Sequence, residues 1–170
     1  MKTLVILCLM TLFSSVATLA AEKVDEKRLD EVAGRGKHVM PFDLEKTIHV
    51  FFRTDQGGIQ QVNAKNDTDV EQIELIRAHL KKIAQEFGQG DFSDPEQIHG
   101  ADMPGLAVLR TAKPGEISMK YSELPNGAQI DYSSENPEYI QAIHQWFDAQ
   151  LSDHARHAVP GHHHHGSGHK

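Results

Sequence analysis

The sequence predicts an α+β domain in which two β-hairpins form a four-stranded antiparallel sheet with helices on one face, in the order ββααββα. Three observations predict it. Residues 47–53 ("TIHVFFR") and 59–65 ("IQQVNAK") are strand-like runs separated by a turn containing Gly57-Gly58. Residues 117–121 and 128–132 repeat the arrangement around Pro125-Asn126-Gly127, a turn signal. Each hairpin is followed by apolar residues at helical spacing: Val70, Ile73, Ile76, Leu80, Ala84 and Phe87 after the first, and Ile140, Ile143, Phe147 and Leu151 after the second.

The chain opens with Met1-Lys2, an apolar run from Leu4 to Phe13, and small residues up to Ala21. That order is a secretory signal peptide, with cleavage expected after Ala20. The apolar run is too short for a comfortable membrane span. Residues 1–20 are therefore read as signal, and the mature chain as periplasmic or secreted and free of the membrane. Cys8 is the only cysteine and leaves with the signal. The mature chain then has no disulfide and no thiolate ligand, so a metal site must draw on His, Asp, Glu or Met.

Residues 21–37 are mostly charged and read as a flexible arm or a frayed helix. Residues 38–154 form the single α+β domain, and 155–170 a His-rich flexible tail. Asn66–Asp69 supplies N-cap oxygens for the long helix, and Gly88 and Gly90 end it. Asp94-Pro95 opens a short helix that Gly100 stops, Pro104 starts another, and Asn136-Pro137 opens the last. The formal charge is −7 with histidines neutral, and no basic patch is interleaved with aromatics, so nucleic acid is not an expected partner.

Histidine carries the chemistry. His38, His49, His79, His99 and His144 lie in the body of the chain. His38 precedes Met40-Pro41 and His99 precedes Met103-Pro104, and imidazole plus thioether without thiolate suits copper, above all Cu(I). The alternative for either methionine is that it fills a gap in the core. His144 and Asp148 are neighbours on one helical face, where a carboxylate can orient a ligand imidazole. His154 would continue the stripe of the last helix. His79 flanks the stripe of the long helix and reads as structural. The tail adds His157, His162, His163, His164, His165 and His169, a compositional metal-binding signal suited to zinc, copper and nickel. No Gly-rich phosphate loop, G-x-S-x-G or H-E-x-x-H motif speaks for an enzyme.

The stretches "MPFDL", "GDFSDPEQIHGADMPGL" and "IHQWFDAQLSDH" resemble a family of small exported bacterial proteins often labelled aspartate carbamoyltransferase. The label implies carbamoyl transfer. Carbamoyltransferases resemble larger chains of two domains with a Ser-Thr-Arg-Thr phosphate-binding loop, of which only Arg53-Thr54 is found here. The resemblance points to His38, Met40, His99, Met103, His144 and His154, in or beside the shared segments.

The expected function is that of a periplasmic metal-binding protein, a carrier or buffer for copper first and zinc second. The alternatives are a small-ligand or peptide-binding module, with histidines lining a cleft between sheet and helices, and an enzyme. For the enzyme, His99 with Asp102, or His144 with Asp148, would form the acid–base pair.

Overall fold

The computed structural model describes residues 25–161. The expected signal peptide, Cys8 and His162–His165 lie outside them. The elements run α1 (Glu26–Val39), a 3-10 turn (Leu44–Lys46), β1 (Thr47–Thr54), β2 (Gly57–Ala64), α2 (Val70–Gly88), α3 (Ser93–His99), α4 (Leu106–Leu109), β3 (Ser118–Leu124), β4 (Gly127–Ser133), α5 (Pro137–Asp153) and β5 (Ala158–Pro160).

Both expected hairpins are present. β1 pairs with β2, and β3 with β4, each antiparallel. β2 also pairs antiparallel with β4, which joins the hairpins into one sheet. The sheet is not four-stranded and purely antiparallel, however. β5 adds to the free edge of β1 in parallel register, giving a five-stranded mixed sheet in the order β3-β4-β2-β1-β5. Three residues of the presumed tail therefore belong to the sheet. A strand that short, within the irregular "HAVPG", has no periodicity to announce it.

Period-2 alternation sets the buried face. Thr47, His49 and Phe51 on β1 register with Ala64, Val62 and Gln60 on β2, and Val62 and Gln60 with Ala128 and Ile130 on β4. All of these are buried, and α2 and α5 pack over them. Most of this row is apolar, but His49 and Gln60 interrupt it.

The helices start where their caps stand. The Asp69 side chain accepts from Gln72 N at 3.3 Å and Asn136 from Glu138 N at 2.9 Å, with Pro137 in the first turn of α5. Trp146, Phe147 and Ile143 of α5 meet Ile76 and Leu80 of α2 and Ile130 and Tyr132 of β4 in a fully buried core. Gly105 (φ +78°) allows α4 to approach α5. A Cβ there would stand 2.2 Å from the Ala142 carbonyl oxygen, so only glycine fits.

Of the two readings of the charged segment 21–37, arm or helix, the helix is the one found over the part described. Residues 26–39 form α1, capped by Asp25 and packed on α3 and α5. A helix of 14 residues is marginal alone. Here Leu29 and Val32 are buried, worth about 1.5–3 kcal/mol each. Arg28 and Arg35 donate to the carbonyls of His99 and Ile98 at 2.8 and 2.6 Å, which serves carbonyls left unpaired at the end of α3. Among the described residues, no helix is long and apolar enough to cross a membrane.

Candidate functional site: a buried histidine cluster

Four elements deliver imidazoles to one place. His49 comes from the inward face of β1, His79 from α2, His99 from the last turn of α3, and His154 from the C-cap of α5. All four are buried and line one cavity of about 40 Å³ beside the C-terminal end of α1, shared with Met40, Gln60, Gln150 and Trp146.

The arrangement is built outward from Asp153. Arg28 grips this carboxylate through both oxygens, Nε at 3.1 Å and a terminal nitrogen at 2.6 Å. Asp153 Oδ2 in turn accepts from His99 Nδ1–H at 2.7 Å. Because Nδ1 is the donor, Nε2 of neutral His99 is an acceptor, and His154 Nε2–H donates to it. The two Nε2 atoms lie 3.3 Å apart. The two rings meet edge to face, with centroids 4.9 Å apart. His49 stacks on the other face of the group, its ring 5.4 Å from that of His154 and inclined by only 8°. His49 N donates to His157 O at 2.8 Å, which ties the residues after α5 to β1.

Burial keeps these rings neutral. It is the largest influence on His49, whose pKa falls to about 3, and the nearby His79 depresses it further. Burial also lowers His79 to about 4 against the opposing pull of Asp94. His154 is pushed well below its ordinary value by burial, and by His49 and His99 beside it. For His99 burial outweighs the hydrogen bond to Asp153, and the net shift is downward. Burial would raise Asp153, but the hydrogen bonds from His99 and Arg28 and the guanidinium charge prevail, and hold it well below the carboxylate range. Asp153 is thus the anion, and the histidines are neutral imidazoles, the protonation state a metal ion requires.

The residues singled out in the sequence are distributed unevenly. His99, His154 and Met40 line the cavity. Met103 is buried in the core and faces a separate surface hollow beside Pro104 and Asp153. His38 is exposed on the last turn of α1, so "HVMPF" brings its methionine but not its histidine to the cavity. His144 is a clasp: its Nε2–H donates to the carbonyls of Thr54 and Gly57 at 2.9 and 2.8 Å, fastening α5 to the β1–β2 turn. Asp148 forms an ion pair with Arg53. His144 is therefore occupied by backbone, and the carboxylate four residues on is directed elsewhere. Asp102 is exposed, and the carboxylate partner of His99 is Asp153. His157 is buried, with Nε2 3.3 Å from Glu45 Oε1. His162, His163, His164 and His165 lie outside the described residues.

His49, His79 and Asp153 complete the cluster without having been singled out as ligands. His49 had a readable signal, since it occupies an inward position between Thr47 and Phe51 where an apolar residue is the default. Asp153 had none, because its meeting with His99 spans 54 positions of sequence.

Among the described residues, no three His, Cys, Asp or Glu side chains are set as a ready-made cage for a metal ion. His99 and His154 meet directly, hydrogen-bonded through their Nε2 atoms. The chain was compared with family models, curated proteins and solved structures, and none of the three comparisons returned a match.

Proposed function

We propose that the protein is an exported metal-binding protein, a carrier or buffer for copper first and zinc second, whose ion is held by His99 and His154. The observation that carries this reading is the 3.3 Å separation of their Nε2 atoms with Asp153 bound to the far side of His99. Two nitrogen ligands at about 2.0–2.1 Å in a tetrahedron stand about 3.3–3.4 Å apart. A carboxylate on the second nitrogen of a ligand imidazole fixes its tautomer and raises its basicity. Rotation of His49 or His79, which line the same cavity, supplies the third ligand. Met40 offers a thioether there, which favours copper, and Cu(I) in particular. In this reading the signal peptide sends the chain to the periplasm, and the His162–His165 run captures ions with low selectivity.

The size of the cavity weighs against the binding-module alternative. Pockets that take drug-sized ligands measure about 300–1,000 Å³, whereas this cavity measures about 40 Å³. A metal ion with one or two small ligand atoms is the occupant whose size fits.

The test uses the mature chain with His162–His165 and His169 changed to serine. It should retain one tightly bound copper or zinc per chain in competition with a chelator. His99→Gln and His154→Gln should each weaken retention by at least about tenfold while the circular dichroism of the fold is kept. Equal retention by parent and both variants would sink the reading.

A further inference from the structure

We propose that the free edge of β3, with the groove beside it, takes an extended peptide as a sixth strand of the sheet, a segment with apolar side chains at alternate positions and a carboxylate among them. This surface lies at the opposite edge of the sheet from β5, and the inference stands apart from the metal reading.

β3 ends the sheet and runs for seven residues without a proline. The other edge is closed by β5, which has three residues and ends in Pro160, a form of edge that resists further pairing. The ladder shows which groups of β3 are left over. Asn126 O accepts from Ala64 N at 2.8 Å, so residue 126 bonds toward β2 and Gly127, the next along, bonds toward β3. The bonds from β3 to β4 therefore fall to Leu124, Ser122, Lys120 and Ser118. The N–H and C=O groups of Met119, Tyr121 and Glu123 point outward. Among the described residues no backbone group pairs with them. Such a row is a template for an added strand.

Side chains of an added strand alternate in step with those of β3. The ones opposite Met119 and Tyr121 enter a shallow groove of about 470 Å³ between β3 and the C-terminal half of α2. Ile117, Met119, Tyr121 and Ala84 make its apolar lining, and Lys81 is the one charged residue there. Neighbouring cations are taken, Arg77 by Glu123 and Lys82 by Glu86 and Asp94. Lys81 is exposed and forms no ion pair among the described residues. A carboxylate on the incoming strand is its complement.

The same lysine argues against a second copy of the chain as the occupant. Arg77 donates to the Leu124 carbonyl at 2.7 Å, whereas Gly88 meets the Ile117 end of the groove. α2 thus runs antiparallel to β3, with Lys81 beside the middle of the strand. A twofold pairing of β3 with itself sets one residue opposite its own copy. Centred on Tyr121, it brings the two Lys81 ammonium groups together. Moving the axis along the strand separates them but shortens the ladder.

The experiment uses the mature chain, nitrogen-15 labelled and chelator-treated, and a capped heptapeptide Thr-Val-Thr-Glu-Thr-Val-Thr. The peptide should move the amide cross-peaks of Met119, Tyr121 and Glu123 saturably and leave those of β5 in place. Exchanging its glutamate for lysine, or methylating the nitrogens of both valines, should weaken binding by about tenfold or more, since the ion pair or the edge hydrogen bonds are lost. Lys81→Glu should reverse the preference between the glutamate and lysine peptides. Stationary β3 amides at millimolar peptide, or equal affinity for the glutamate and lysine peptides, overturn the proposal. So does a dimer in sedimentation whose β3 amides are protected from exchange without peptide, which assigns the edge to a second copy. Should Lys81→Glu fail to fold, the lysine peptide on the parent chain decides.

Discussion

Asp153 Oδ2 accepts the Nδ1 proton of His99 at 2.7 Å, while Arg28 holds both oxygens of the same carboxylate. One anion thereby links α1, α3 and α5 and fixes which nitrogen of His99 faces the cavity. The carboxylate is 13% exposed, so solvent screens the contact only in part.

Asp153→Asn tests this link. The amide can still accept from His99, but it lacks the charge that holds Arg28. Charged hydrogen bonds are worth about 1.5–3 kcal/mol, and stability should fall by about that much. Metal affinity should fall by about 10–100-fold, the usual cost of losing an orienting carboxylate. Denaturant unfolding and chelator competition measure the two effects separately. Unchanged affinity alongside reduced stability would assign Asp153 to the fold alone.

The boundary of the tail gives a second prediction. Ending the chain after Gly161 should leave stability within about 0.5 kcal/mol, because β5 and the bond from Gly161 N to Phe51 O are retained. Ending it after His157 removes β5, whose Ala158 is buried and pairs with His49. The melting temperature should then fall by several degrees. Equal melting temperatures for the two truncations would show that β5 contributes nothing to stability.

These contrasts mark what the sequence discloses. Both hairpins, α2 and α5 are legible because periodicity, turn residues and caps agree over many positions, as at Asp69 and Val70–Phe87. α1 is less so, because Leu29 and Val32 are its only large buried residues, and the partners that make it a helix, α3 and α5, are distant in sequence. The cluster is legible in half. His99 and His154 stand out as histidines near shared or patterned segments. Their approach to His49 and Asp153 is tertiary, set by the pairing of β1 with the residues after α5. The likeness between "HVMPF" and "HGADMPGL" misleads for a physical reason: α1 turns His38 outward and Met40 inward, whereas α3 ends with His99 inward and Met103 on the far side.

The two methionines should therefore separate. Met103→Leu conserves volume in the core and should cost less than about 1.5 kcal/mol. Copper affinity should not change, since Met103 does not line the histidine cavity. Met40→Leu conserves volume as well but removes the thioether beside the histidines, so Cu(I) affinity should fall while zinc is unaffected. Competition with a Cu(I) chelator measures this. Loss of Cu(I) affinity in Met103→Leu and not in Met40→Leu would reverse the assignment.

Acid should unfold the metal-free protein through the buried imidazoles of the cluster. The ordinary histidine pKa is 6.5, and in the folded chain it falls to about 3 for His49 and about 4 for His79. Between those values and 6.5 the unfolded chain binds protons that the folded chain refuses. Stability therefore rises with pH across that window and is complete above about 6.5. Each such proton removes about 1.4 kcal/mol for every unit the pH falls. His154, also held well below its ordinary value, adds to the slope. Asp153 acts in the same direction at still lower pH, because its depressed pKa favours the folded state only while the carboxylate is charged. Bound metal should flatten the curve near neutrality, since it occupies the nitrogens that protons must reach. Denaturant titrations of chelator-treated protein at several values between pH 7.5 and 5 should show a steep, progressive loss. In His79→Gln the slope should be shallower by one proton. A stability independent of pH over that range would mean that the four imidazoles are not held neutral, and the case for the metal reading would fall with it.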